Sequence, residues 1–116
     1  MIIVVGIDVV DVALFGQTLQ RTPRLLERLF IESERSMGLN YMAATFAAKE
    51  ALAKALGAPA GLRWSDASVL RDDDGRPHLK MWGTVQARAD ELGVMGLHVS
   101  LSNDAGIASA VVIAES

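Results

Sequence analysis

Phe46-Ala47-Ala48-Lys49-Glu50-Ala51-Leu52-Ala53-Lys54-Ala55-Leu56-Gly57 restricts the fold of this chain more than any other stretch. Alanine is the strongest helix former, and a glycine in the left-handed C′ position commonly ends a helix. The spacing therefore predicts one long helix over Tyr41–Leu56, stopped by Gly57. Phe46, Ala53 and Leu56 share a helical stripe and are predicted core. Lys49 is turned about 100° from its neighbour Glu50, which places it on a solvated face. Glu50 has Lys54 four residues later, in the orientation that favours an intrahelical ion pair.

The segments around this helix are short. Ile2–Ile7 is a β-branched run that reads as a buried strand, closed by Asp8. Asp11 is placed to cap a helix reaching about Gln20. Thr22 is placed to cap a second helix to about Phe30, with Pro23 at its first position. Glu32–Arg35 makes one helical turn, and Gly38-Leu39-Asn40 breaks it. Ala67–Arg71 and His78–Trp82 read as strands around Asp72-Asp73-Asp74-Gly75. Thr84–Leu92 reads as a helix ended by Gly93. Leu97, Val99 and Leu101 alternate with His98, Ser100 and Ser102, as in a half-buried strand. Ile107–Ala114 is the last strand, joined through Asn103-Asp104-Ala105-Gly106. The order of elements predicts an α+β fold with a mainly antiparallel sheet packed with a long helix, in a single domain over 1–116.

Composition narrows the function classes. Of 116 residues, 51% are hydrophobic but only 5% aromatic, so the apolar content is small and aliphatic. A small globule hides that much apolar surface with difficulty, which points to a subunit interface. The net charge of −3 gives no basic field for nucleic acid or an anionic membrane. The absence of cysteine removes disulfides, thiolate metal sites and thiol catalysis, and fits a cytoplasmic protein. No basic stretch precedes the first apolar run, which stops at Asp8, so neither a signal peptide nor a membrane helix is expected.

Two carboxylates stand out chemically. An acid ending an apolar strand needs solvent, a cap or a partner. Asp11 is the better helix cap, so Asp8 is open to metal or catalytic duty as well as to solvent or a plain partner. Glu50 sits among alanines, and hard divalent cations that act on phosphates take oxygen ligands of this kind. Its alternative is the plain pair with Lys54. Gly75-Arg76-Pro77 reads alone as a turn, and Asp72–Asp74 as a solvated tip without the ligand pattern of a calcium loop. His78 and His98 are isolated, and no phosphate-binding glycine loop is present.

Taken in order, Gly6-Ile7-Asp8-Val9-Val10, Phe46-Ala47-Ala48-Lys49-Glu50-Ala51, Gly75-Arg76-Pro77 and Val99-Ser100-Leu101-Ser102 resemble the small bacterial holo-[acyl-carrier-protein] synthases. These are a class of 4′-phosphopantetheinyl transferases, and the likeness is strongest to actinobacterial members. It runs nearly end to end. It implies an α+β homotrimer with active sites at the subunit interfaces. It also implies transfer of the phosphopantetheine arm of coenzyme A to a serine of an apo acyl carrier protein or carrier domain, with release of adenosine 3′,5′-bisphosphate in fatty acid biosynthesis. By the same resemblance, Asp8 and Glu50 match Mg²⁺ ligands, and Glu50, or a water that it orients, accepts the serine proton. Lys54 matches a lysine that steadies the phosphates. Gly75, Arg76 and Pro77 match a segment lining the coenzyme A pocket, and Ser102 and Asn103 would face the nucleotide phosphates.

Three residues depart from the family pattern. Asn103 stands where the family usually has histidine, Thr45 where it often has arginine, and Leu14 near another arginine on the helix that meets the acidic carrier. Each change removes a possible positive charge, and each lost charged hydrogen bond costs roughly 1.5–3 kcal/mol. Arg21, Arg24 and Arg28 remain close by for an acidic partner. The departures motivate a competing expectation: a weakened or non-catalytic relative that keeps the trimer and metal site and only binds nucleotide or carrier. An unrelated α+β binding domain requires the ordered motifs to be coincidence.

Overall fold

The computed structural model describes residues 1–116. Strand β1 (Ile2–Asp11) leads into helices α1 (Val12–Arg21), α2 (Arg24–Leu29), α3 (Glu32–Arg35) and α4 (Leu39–Ala55). A single 3₁₀ turn (Trp64–Asp66) precedes strands β2 (Ala67–Arg71) and β3 (Pro77–Met81). Helix α5 (Gly83–Glu91) and strands β4 (Gly96–Asp104) and β5 (Ile107–Glu115) complete the chain. The main sheet is antiparallel in the order β1-β5-β4, and β2-β3 form a separate hairpin. The expected α+β class, antiparallel sheet and long helix are all present.

Helix α4 is the axis of the molecule. Ten of its seventeen residues are buried, so it has no single wet face and is packed by other elements on most sides. It lies mainly across β1 and β5. The contact is built from small groups: Ala47, Ala48, Ala51 and Ala55 on the helix, Gly6, Ala108, Ala110 and Ala114 on the sheet. Gly6 is the tightest point, where a Cβ would come 1.9 Å from the carbonyl oxygen of Ala51. Only glycine lets the two backbones approach this closely. Aromatic side chains seal one end, Phe15 stacking on Phe46 at 5.0 Å and meeting Phe30 edge-on at 6.1 Å.

Several sequence expectations need correction. β1 does not stop near Ile7 but continues through Asp8 to Asp11, whose carboxylate caps α1 by accepting from Leu14 N at 3.0 Å. Nor is β1 buried on both faces. Gly6 and Val10 face the helix, whereas Ile3, Val5, Ile7 and Val9 are 39–63% exposed on the outer face. A continuous apolar run cannot reveal that one of its faces lacks a cover within the chain. Thr22 offers its carbonyl, not its hydroxyl, to the start of α2, and Pro23 sits at the cap position. Helix α4 begins at Leu39, because Gly38 is its N-cap rather than part of a break. The last hairpin turns on Ala105 and Gly106 alone, both at positive φ, as a two-residue turn requires.

Lys49 is the largest departure. It is 2% exposed, and its ammonium bonds the Leu29 carbonyl at 2.7 Å and Glu34 Oε1 at 2.8 Å. Alanine neighbours are too small to mark which face of such a helix is wet, so a lysine's ordinary preference for solvent was the wrong guide. No helix is long and apolar enough to cross a membrane.

Candidate active site

Asp8 follows Gly6 by two residues, so both project from the same face of β1. The glycine brings α4 against the strand, and the acid beside it is thereby aimed at the helix. Glu50 and Lys54 stand on consecutive turns of α4. Lys54 does not pair with Glu50. Its ammonium donates to Asp8 Oδ1 at 2.9 Å and to the Ile7 carbonyl at 3.1 Å. Glu50 is left without an ion-pair partner, and the three side chains share an open cleft of about 530 Å³. Val10, Leu14, Phe15, Leu25, Leu29 and Phe46 supply much of its apolar lining.

The charges interact. Burial pushes the Glu50 carboxyl above its usual range; the nearby Asp8 carboxylate adds to this, and Lys54 partly opposes it. Lys54 is held above the ordinary lysine range, chiefly by its hydrogen bond to Asp8. The ammonium is therefore charged at any physiological pH. Asp8, Glu50 and Lys54 thus bring two carboxylates and one cation together at the end of an apolar trough, and a third cleft carboxylate, Asp11, is engaged as the cap of α1.

The other expected site residues lie elsewhere. Gly75, Arg76 and Pro77 form the end of the β2-β3 hairpin, with Gly75 at φ +85° and its N–H bonded to the Asp72 carbonyl at 2.8 Å. They do not line the carboxylate cleft. Ser102 is exposed on the outer face of the sheet, opposite Ser109 in register, and so points away from the face that carries Asp8. Asn103 faces the other way, and its amide donates to the Asn40 carbonyl at 3.1 Å. Thr45 is buried in α4, and Leu14 is exposed at the cleft.

A family model described as the 4′-phosphopantetheinyl transferase superfamily matches residues 4–110. The chain belongs to this superfamily. Among curated 4′-phosphopantetheinyl transferases, the holo-[acyl-carrier-protein] synthase of Streptomyces coelicolor is 63% identical over 120 residues, covering 98% of each chain. That of Streptomyces griseus subsp. griseus is 61% identical over 121 residues, covering 99% of each. Among solved structures, Helicobacter pylori holo-[acyl-carrier-protein] synthase in complex with coenzyme A aligns with a TM-score of 0.83 at 30% identity. That alignment covers 96% of this chain and 99% of the other. The expected family and its actinobacterial leaning are therefore correct, and the chain is an enzyme of the transferase class.

For a phosphopantetheinyl transferase, the donor set in the cleft suits a hard cation. No third carboxylate, histidine or thiol stands close enough to share a metal ion with Asp8 and Glu50, and Asp11, which also lines the cleft, caps α1 instead. Two oxygen-bearing side chains, one of them unpaired, leave room for waters and substrate phosphates, which is how Mg²⁺ is ordinarily held. Sequence reasoning missed the apolar trough, since Phe46 reads equally well as core. It also missed the Lys49–Glu34 pair, whose members are fifteen residues apart and share no spacing signal.

Proposed function

We propose that this protein transfers the 4′-phosphopantetheine group of coenzyme A to a serine of an apo acyl carrier protein, in the cytoplasm and in a Mg²⁺-dependent way. Residues 1–116 act as one transferase domain, in the service of fatty acid biosynthesis. The observation that carries the reading is the Asp8–Lys54–Glu50 arrangement: a hydrogen-bonded acid and cation beside an acid without an ion-pair partner. The relatives' name and the coenzyme A complex support the choice of donor and acceptor.

Asp8 and Glu50 would hold the metal. When bound there, Mg²⁺ neutralises charge on the pyrophosphate of coenzyme A. Glu50, or a water that it orients, would accept the serine Oγ proton. The Oγ–phosphorus bond forms as the phosphoanhydride bond breaks, and adenosine 3′,5′-bisphosphate leaves. Lys54 holds Asp8 in place and offers a permanent positive charge to the phosphates. Gly75, Arg76 and Pro77 contribute to the coenzyme A pocket, as do Ser102 and Asn103 through the β4-β5 end.

The protein acts as a homotrimer in this reading. The uncovered apolar stripe of β1 supports association, because a monomer would leave Ile7 and Val9 more than half exposed. Ser102 and Asp8 lie on opposite faces of one sheet, so a site composed from two copies brings such groups to one substrate more readily than a single copy.

The test is intact-mass spectrometry of an apo acyl carrier protein incubated with the protein, coenzyme A and Mg²⁺. A gain of one phosphopantetheine, abolished by EDTA and by Glu50→Ala, is the expected result. No gain with several carriers, from a folded protein that still binds Mg²⁺, would replace this reading with the weakened, binding-only relative.

A further inference from the structure

Catalysis as described leaves one buried ion pair unused. The side chains of Lys49 and Glu34 are 1% and 4% exposed and meet at 2.8 Å. Lys49 Nζ also donates to the Leu29 carbonyl at 2.7 Å and stands 5.4 Å from the centre of the Phe30 ring. Glu34 accepts in addition from Ile31 N at 2.9 Å and from Ser68 Oγ at 3.0 Å. One ammonium and one carboxylate thus join the end of α2, α3, α4 and β2, and no buried polar side-chain atom is left unpartnered.

Such a pair is a poor source of net stability, since desolvation offsets its attraction and apolar residues of similar volume serve as well. What it holds is more telling. Leu29 is the last residue of α2, and Leu25 and Leu29 line the cleft that contains Asp8, Glu50 and Lys54. Helix α2 has only six residues. A helix so short does not stand alone, and its last carbonyls need donors. Lys49 supplies one, with a cation at the favourable end of the helix. Glu50 faces the cleft, while Lys49, the preceding residue, runs behind its wall. The pair therefore straps the α2 wall to the α4 floor from the back. The same wall carries Arg24 and Arg28, both exposed, where an acidic partner would meet it.

We propose that Lys49 and Glu34 are positioning residues that set the width of the cleft on its α2 side and so govern recognition of the acceptor protein rather than the transfer step. The proposal rests on the transferase reading given above. It is tested with the double variant Glu34→Gln/Lys49→Met. This removes both charges, keeps an amide oxygen to accept from Ile31 N, places an NH₂ group that can donate to Ser68 Oγ, and leaves the Leu29 carbonyl without its donor.

Two readouts separate the possibilities. In hydrogen exchange, the amides of α2 exchange roughly tenfold faster in the variant, while those of Ala51–Ala55 keep their protection. In steady-state transfer, KM for the carrier protein rises roughly tenfold, while kcat and KM for coenzyme A stay within about twofold. Unchanged protection of α2, an unchanged carrier KM, or a loss confined to kcat would overturn the proposal. Exchange needs no turnover. A wild-type chain that transfers nothing, yet loses α2 protection in the variant, refutes the transferase reading and leaves the strap standing. Should the double variant fail to fold, Ser68→Ala removes only the hydroxyl contact to Glu34, with shifts of about threefold expected in the same two readouts. Their absence would count against the strap.

Discussion

A Cβ on residue 6 would stand 1.9 Å from the Ala51 carbonyl oxygen and 2.9 Å from the Ala55 nitrogen, where ordinary contact begins at 3.4 Å. The obstacle is helix backbone, so Gly6→Ala must part β1 and α4 by on the order of 1.5 Å, because the close-packed neighbours leave no other direction. Overpacking of this kind costs about 1–3 kcal/mol. In a chain of this size, the middle of that range lowers the melting temperature by about 10 °C. The same separation draws Glu50 and Lys54 away from Asp8 and breaks the 2.9 Å contact between Lys54 and Asp8. A misplacement of about 1 Å costs an enzyme on the order of 10²-fold in rate. The assay is thermal unfolding at fixed protein concentration, paired with transfer measured well below the transition. Gly16→Ala is the control. Its Cβ meets only the Leu39 side chain, at 2.9 Å, which can move aside. The helix-propensity gain of up to about 1 kcal/mol then keeps that variant near wild type. If Gly6→Ala melts and transfers like wild type, the close approach of strand and helix does not hold the site together.

Three further outcomes are expected. Because folding raises the Glu50 pKa, the folded protein binds that proton more tightly than the unfolded chain. In EDTA, the Glu50 contribution to stability is thus fully present below the ordinary carboxylate range and is lost as pH rises through the elevated pKa. Glu50→Gln should abolish this slope in chemical denaturation and also abolish transfer; a slope that persists in the variant refutes the assignment. Lys54→Met should lower transfer by about 10²-fold, as loss of one preorganised charge does. Its melting temperature should fall only slightly, because the lysine end of the pair is half exposed although Asp8 loses its partner, and calorimetry beside a transfer assay checks both. Asn103→His should leave transfer within about tenfold, one hydrogen bond's worth. The asparagine amide already has a structural partner in the Asn40 carbonyl, and steady-state kinetics showing a far larger gain would mean that the asparagine cripples the enzyme.

The parts of the fold and of the candidate site legible in the sequence are those set by local rules. Alanine content and Gly57 announce α4, alternation announces β4, and Asp8 and Glu50 stand out because acids in apolar segments need a reason. What could not be read is how those elements turn toward one another. Lys54 looks like the partner of Glu50 along the helix, yet the strand brings Asp8 closer. Lys49 looks wet because nothing local says that α2 and α3 will close over it. The outer stripe of β1 looks buried because an unbroken apolar run does not tell which of its faces the rest of the chain will cover. The displacement of Ser102 from the carboxylate cleft follows from strand pleat combined with tertiary register, and neither is contained in the motif itself.

The alanine packing of α4 gives this molecule an unusual relation to mutation. In most cores the damaging changes are deletions, because large side chains leave holes. Here Ala47, Ala48, Ala51 and Ala108 are fully enclosed. Beyond the methyl group there is nothing left to remove, and nearly every change at these positions is an enlargement. Substitution should therefore be tolerated less along the shaft of the molecule than at rim residues such as Leu14 and Asn103. Drift in this chain should alter what the site recognises long before it alters the frame on which the site is mounted.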